Sequence, residues 1–245
     1  MAAQLKKERK SATPDIQCIE VVGSLGIPDL YFPGIKIPLN ILFGDPNKNY
    51  RFHNTDLHEK VLYGFHAYVS ERLSNSSLAL NEKRKPFEPT IWTLPPGDTK
   101  TTLRQVWFAG CHTDVGGGQE NHALSNIALY WMIDQVKSIP ESTLQFNKSY
   151  LVRSQTTIAK STTTQTWGCA AYKDSYSGFW TRGGISPRTP TIYYENAKME
   201  VHKSVDNRRK LDKTQSEPDI GKLKFTTLGS FELKMQKNFQ LGFPV

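Results

Sequence analysis

The stretch from Arg104 to Lys137 combines a buried-type strand, a glycine-rich loop and an amphipathic helix, in that order. Val106–Phe108 is a short run of β-branched and aromatic residues, typical of a strand covered on both faces. The apolar residues that follow recur at helical spacing and predict one buried helix face: Leu124, Ile127, Ala128, Trp131, Met132 and Val136. His112 and Asp114 lie between the two, before a Gly116–Gly118 turn that few other residues could make. Open α/β sheets place their chemistry at such a junction, so the sequence predicts an α/β fold with a site here.

Other elements can be placed around this unit. Ile16–Val22 is β-branched and apolar, which suits a central strand. Residues 28–50 are interrupted by four prolines, so we expect an ordered excursion over the sheet edge without long elements. Apolar residues near one face predict a helix over Leu57–Leu73, and Thr90–Leu94 is a candidate short strand.

The chain becomes polar after Lys137. Asp206–Lys224 is charged and is predicted to be mobile, and Lys224–Leu233 could form a last strand or a hairpin. We therefore divide the chain into a polar tail (1–15), an α/β unit (16–137) and an irregular polar extension (138–245).

The net charge is +8, from 31 basic and 23 acidic residues. Basic clusters occur at Lys6–Lys10, Lys83–Lys85 and Arg208–Lys213 and could contact phosphate groups or acidic surfaces. Carboxylates interleave with them: Glu8, Glu82, Glu88, Asp206 and Asp212. Because no nucleic-acid module signature is present, we interpret these clusters as solvated surface and expect no nucleic-acid partner.

Cysteine usage and hydropathy indicate a cytoplasmic protein. Cys18, Cys111 and Cys169 are scattered and lack the spacing of a zinc site or a disulfide framework. No run of eighteen apolar residues exists, and the amino terminus lacks the apolar centre of a secretory signal, so we expect no membrane span. His112, Asp114 and His122 match no defensible metal-ligand spacing, so no metal or other cofactor is predicted.

Several motifs carry a family resemblance. VWFAGCHTDVGGG followed by LSNIALYWMID resembles the signature of an α/β-hydrolase family that includes phospholipase effectors of type VI secretion and many fungal proteins. VGSLGIP, YRFHNTDL, KRKPFEPTIW and VHKSV also resemble the family and keep its order over residues 16–206. The resemblance implies a doubly wound, mostly parallel sheet, and a small-molecule or lipid ester substrate in intact relatives. It also implies that Tyr68–Ser77 is an insertion.

The resemblance implies a role for His112. An α/β-hydrolase needs a nucleophile, an acid and a histidine in that chain order. His112 fits the third place by its strand–loop–helix context, and as general base it would take the serine proton and return it to the leaving group. The structural alternative is a loop histidine held by hydrogen bonds. Asp114 could orient the loop or contact substrate, but binding the backbone amides of the Gly116–Gly118 turn is favoured.

The position of the triad acid is ambiguous. The resembling proteins read roughly VWDTVGSLGIP, whereas this chain reads IQCIEVVGSLGIP. An ungapped alignment places Glu20 at the aspartate position, and a glutamate can serve in a triad. A gapped alignment keeps both IQCI and VGSLGIP in register and leaves the aspartate absent. We favour the gap, which makes Glu20 a substitute acid only.

No G-x-S-x-G string occurs in the 245 residues. Family order would place the serine before residue 16, so we expect the chain to represent the carboxyl-terminal half of a hydrolase domain. Losing the nucleophile removes about 10⁶-fold in rate in subtilisin, so we expect no hydrolysis by the chain as written. A half-sheet would expose an edge and favour self-association. The alternative hypothesis is a non-catalytic, basic interaction module.

Overall fold

The computed structural model describes the parts of the chain that form the sheet, its helices and the segments packed on them. With side chains these are residues 57, 61–67, 79–84, 91–140, 142, 144–147, 149, 167–172, 174–178, 181, 184–188, 190, 197–211 and 218–237. The backbone alone is described for residues 16–18, 30–32, 35–37 and 238–241.

A four-stranded parallel sheet forms the centre of the described fold. Its strands lie in the spatial order β1, β4, β5, β6, with bounds β1 Ile16–Cys18, β4 Val61–His66, β5 Thr102–Trp107 and β6 Met199–Val201. All three neighbouring pairs are parallel. A separate antiparallel pair consists of β2 (Leu30–Phe32) and β3 (Ile35–Ile37). A parallel sheet accompanied by helices is compatible with an α/β fold, the predicted class.

Four helices accompany this sheet in the described residues. They are α1 (His112–Gly116), α2 (Ala123–Ser138), α3 (Lys203–Leu211) and α4 (Ser230–Leu241). The predicted strand–loop–helix unit is confirmed, because β5 leads into the His112 turn and then into α2. Within the described residues, no helix is both long and apolar enough to cross a bilayer.

Strand β5 is buried on both faces, as its apolar sequence predicted. Val106 and Phe108 point into a cluster that includes Trp131 of α2. Trp107, from the opposite face, joins a second cluster with Val201. The alternation follows from the two-residue period of a strand, and it means that apolar side chains cover both sides of the sheet at β5.

Two predicted elements between residues 57 and 94 are wrong. Val61–His66 is a strand rather than part of a helix over Leu57–Leu73. A short apolar run without a long period fits either element, and pairing with β1 and β5 decides for strand here. Residues 91–94 form no strand. The side chain of Gln105 accepts from the Trp92 amide at 2.8 Å and donates to the Trp92 carbonyl at 2.9 Å, replacing a backbone ladder.

The carboxyl-terminal part is more regular than the sequence predicted. β6 hydrogen-bonds to β5, α3 occupies residues expected to be mobile, and α4 begins within the candidate strand or hairpin. Only Phe225 bridges Val201 in strand fashion there. Helix α4 begins at Ser230 because Asp134 of α2 accepts from the amides of Phe231 and Glu232. Such a cap from another helix cannot be recognised in a local pattern.

Candidate functional site

A sharp turn after β5 carries His112. Gly110 has φ +103°, and a Cβ there would lie 2.6 Å from Cβ of Asp114. A side chain at Gly110 would therefore strain the backbone and collide with α1. This turn delivers His112 to the first position of α1, at the carboxyl end of a parallel strand. That edge of the sheet is where α/β proteins bind ligands.

The segment Ala79–Arg84 holds this turn from the side. Ala79 forms a parallel bridge with Phe108, and the amide of Leu80 donates to the Phe108 carbonyl at 2.9 Å. Asn81 binds Gly110 twice. Its side-chain oxygen accepts from the Gly110 backbone amide at 2.7 Å, and its backbone amide donates to the Gly110 carbonyl at 3.1 Å. The turn is therefore fixed by backbone and side-chain bonds from a distant part of the sequence.

Asp114 serves the same turn from within α1. Its carboxylate accepts from the Cys111 amide at 2.8 Å. Burial raises the pKa of Asp114 above its usual value, although the Cys111 hydrogen bond opposes that rise. The contact is a backbone cap of the kind favoured from the sequence, but its partner is Cys111 instead of the Gly116–Gly118 turn.

Glu82 is the buried charge of the site and was interpreted as surface from the sequence. Its side chain is fully buried, and Arg84 donates to it from Nε at 2.9 Å and from Nη2 at 2.8 Å. The His112 amide donates to the second oxygen at 3.2 Å. Burial opposes ionisation, but the Arg84 hydrogen bonds and charge outweigh it and lower the pKa of Glu82 to about 2.

A sequence signal for this pair existed. In an extended segment, residues two apart point to the same side, so Glu82 and Arg84 could have been paired in advance. The predicted solvated cluster at Lys83–Lys85 is wrong for Arg84, which is buried. Arg208, assigned to another solvated cluster, is also buried and donates to the carbonyls of Gly168 and Ala170.

Ser175 is the serine that the structure brings to Glu82. Its hydroxyl donates to Oε1 of Glu82 at 2.7 Å. A carboxylate with a pKa of about 2 is a poor proton acceptor at neutral pH, so this contact does not activate Ser175 as a nucleophile. The neighbouring Cys111 thiol is not activated either, because burial raises its pKa to about 11.

His112 as a whole residue is 8% exposed. Burial, aided by the charge of Arg84, lowers its pKa to about 4, while the carboxylate of Glu82 acts in the opposite direction. The imidazole is therefore neutral at pH 7 and able to accept a proton, although it is a weak base there. An ionised triad carboxylate beside the ring would raise its basicity.

A second histidine lies in a chain of hydrogen bonds that resembles a triad. His202 Nε2 lies 2.6 Å from Oε1 of Glu232, and its Nδ1 lies 2.8 Å from Oγ of Ser204. The Ser204 amide also donates to Nδ1, which assigns the ring proton to Nε2. Ser204 is only 2% exposed, and the other two side chains are more deeply buried. An ester cannot reach this hydroxyl in the folded state, so the cluster is structural.

The remaining predicted site residues have different outcomes. Glu20, the substitute acid, and the insertion Tyr68–Ser77 lie outside the described residues. His122, considered as a metal ligand, is an exposed residue at the start of α2. In the described part of the chain, no group of three or more His, Cys, Asp or Glu side chains is arranged to hold a metal ion.

The sequence is similar to one described protein family. Residues 1–135 match the family "T6SS, Phospholipase effector Tle1-like, catalytic domain". This match covers more than half of the 245 residues and includes both the His112 turn and the Ala79–Arg84 segment. No curated protein and no solved structure matches the chain significantly.

Proposed function

Because this chain belongs to the type VI secretion Tle1-like phospholipase effector catalytic-domain family, we propose that its His112 turn is the proton-transfer end of a lipid ester hydrolase site. In this proposal, His112 accepts the proton of a serine hydroxyl as that oxygen attacks the ester carbonyl. It then donates the proton to the leaving alkoxide. The proposed fold is the histidine-bearing part of an α/β-hydrolase sheet.

The observation that carries this proposal is the location of His112. The residue begins α1 directly after a parallel strand, on a turn fixed by Asn81 and Glu82. Its ring is largely withdrawn from water and neutral at pH 7, as a general base must be before it accepts a proton. His202 shares the strand–histidine–helix arrangement but is closed off by Glu232 and Ser204.

We also propose that these 245 residues do not hydrolyse esters on their own. They contain no G-x-S-x-G turn, and the serine seen at the site, Ser175, donates to a carboxylate too weak to activate it. The attacking hydroxyl would have to come from a polypeptide segment with a nucleophile turn. A serine-directed fluorophosphonate should therefore leave the purified chain unlabelled, and stoichiometric labelling would contradict the proposal.

Reconstitution tests the role of His112. The chain would be co-expressed with, and separately fused to, the G-x-S-x-G-bearing segment of a family member that is inactive alone. Fatty acid release from phospholipid vesicles is then measured. We expect activity only in the combined protein, and a loss of about 10⁶-fold in kcat for His112→Gln, the size seen when one triad member is removed.

His122→Gln is the matched control, because His122 is an exposed histidine ten residues further along the chain. It should leave the reconstituted rate unchanged. A folded combined protein that is inactive, or that keeps its rate in His112→Gln, would contradict the proposal.

The alternative function is a non-catalytic, basic interaction module that binds a protein partner or an anionic surface. The net charge of +8 supports it. However, several described cations already face carboxylates: Lys83 with Asp174, Arg104 with Glu200, and Lys203 and Lys210 with Asp206. Binding to anionic vesicles that persists at about 0.15 M salt would favour the module, whereas diffuse charge attraction is lost there.

A further inference from the structure

We propose that Glu82 is a positioning residue that fixes the location and the electrostatic surroundings of His112. This inference rests on the proposed function of His112 as the proton-transfer residue. Glu82 comes from a segment thirty residues earlier in the chain, so it couples the Ala79–Arg84 segment to the β5–α1 turn.

The hydrogen bonds of Glu82 explain how it positions the turn. Oε1 accepts from Nε and the amide of Arg84 and from the hydroxyl of Ser175. Oε2 accepts from Nη2 of Arg84 and from the His112 amide. The carboxylate therefore cannot rotate without breaking several bonds at once, and the His112 backbone is attached to a rigid group.

The charges of Glu82 and Arg84 act on His112 in opposite directions. The Glu82 carboxylate favours the imidazolium form of His112, whereas the Arg84 guanidinium disfavours it, and the effect of Arg84 is the larger. Arg84 also keeps Glu82 ionised, since it offsets the cost of burying that carboxylate. The ion pair thus places two opposing charges near a residue that, in the proposed function, gains and loses a proton.

A purely structural role would not require this charge. Asn81 holds Gly110 in the same turn with a neutral amide, and apolar replacement of a buried ion pair is often neutral or stabilising. The distinguishing readout is therefore the titration of the His112 ring, which a simple structural contact would not move in a charge-dependent direction.

The experiment uses histidine-selective NMR on the full 245-residue chain, with the His112 signal assigned from His112→Gln. Glu82→Gln keeps the shape of the side chain and removes its charge, and should lower the titration midpoint of His112. Glu82→Gln combined with Arg84→Met removes both charges and should raise the midpoint above wild type. Exchange of the His112 amide proton should accelerate about tenfold in Glu82→Gln, because a charge-assisted acceptor is lost.

Lys83→Met is the matched control, since Lys83 lies in the same Ala79–Arg84 segment and forms an exposed ion pair with Asp174. The titration midpoint of His112 should shift less in Lys83→Met than in either of the other variants. If Glu82→Gln leaves Arg84 unpaired and prevents folding, the double variant still tests the inference. An unchanged or lowered midpoint in the folded double variant would overturn it. These results do not depend on hydrolysis, so an inactive reconstituted enzyme would count against the function and not against the positioning role.

Discussion

The two strand–histidine–helix junctions of this chain differ in what they hold. At the β6–α3 junction, the ring of His202 is fixed by Glu232 and Ser204 and stacks on Phe108 with ring centroids 4.7 Å apart. At the β5–α1 junction, Glu82 instead accepts from the main-chain amide of His112. One junction uses the imidazole as a structural cross-link, while the other anchors the backbone of the histidine.

The contrast shows that burial and hydrogen bonding do not by themselves identify a site. The His202 cluster has the connectivity of a serine–histidine–acid triad, yet Ser204, in the first turn of α3, is only 2% exposed. At the His112 junction a carboxylate instead accepts from the main-chain amide, and the residue keeps 8% exposure. Both histidines follow a parallel strand at its carboxyl end, so only the residual exposure of His112, 8% against 0% for His202, separates the two.

The largest expected effect is the cost of breaking the His202 cross-link. His202→Gln should lower the free energy of unfolding by about 3 kcal/mol, because it disrupts buried bonds to Glu232 and Ser204 and the packing on Phe108. His112→Gln should cost less than about 1 kcal/mol at pH 7. Urea denaturation at pH 7 measures both. Equal losses of unfolding free energy in the two variants would show that the two histidines do not differ in structural role.

A double-mutant cycle of His202→Gln with Glu232→Gln sharpens the same point. The two side chains are in direct contact at 2.6 Å, so their effects should be non-additive by about 1 kcal/mol or more. Additive effects would show that Glu232 stabilises α4 mainly by accepting from the Gly229 amide.

The next effect concerns the turn that presents His112. Gly110→Ala should cost about 3 kcal/mol, because it combines a positive φ with a Cβ contact of 2.6 Å to Asp114. Gly117→Ala is the matched control: its φ is +93°, but nothing lies within 4 Å of the added Cβ, so only the strain of about 1 kcal/mol remains. Thermal unfolding of both variants gives the difference. Equal costs would show that α1 moves away readily and that the turn is not rigid.

The sequence predicted the parts of the site that depend on local pattern. The β5 run, the glycine turn and the α2 spacing located His112 at a strand–helix junction, and this placement is confirmed. The contacts that Glu82 and Ser175 make around the turn could not be predicted in the same way. Glu82 and Ser175 reach the His112 turn through contacts 30 to 93 residues apart in sequence, and their burial reversed an interpretation based on charge clusters alone.

Errors in secondary structure have the same origin. The segment Val61–His66 is short enough to suit either period, and only pairing with its neighbours makes it a strand. The Gln105 side chain hydrogen-bonds to the backbone amide and carbonyl of Trp92 in place of a neighbouring strand, which no strand propensity predicts. Helix α4 begins where a carboxylate of α2 caps it. In each case a tertiary partner decided between local alternatives that the sequence left close in energy.

A pH-dependent effect of about 2 kcal/mol is expected from the contribution of His112 to acid sensitivity. Burial lowers the pKa of His112 to about 4, and that of His66 on β4 likewise, although a Gln105 hydrogen bond to His66 acts in the opposite direction. The unfolded chain binds these protons from about pH 6.5 downward, so the folded state is fully stabilised above that pH and progressively destabilised towards pH 4. Each histidine should therefore cost about 2 kcal/mol between pH 6.5 and 5.

Replacing either histidine should flatten this dependence by the same amount. His112→Gln and His66→Gln are each expected to remove about 2 kcal/mol of the stability difference between pH 6.5 and 5 in urea titrations. Glu82 does not contribute in this window, because its lowered pKa makes its stabilisation decline only below about pH 4.5. If only His66→Gln flattens the profile, the His112 ring is hydrated in solution. The difference in exposure between His112 and His202 is then larger than the structure indicates.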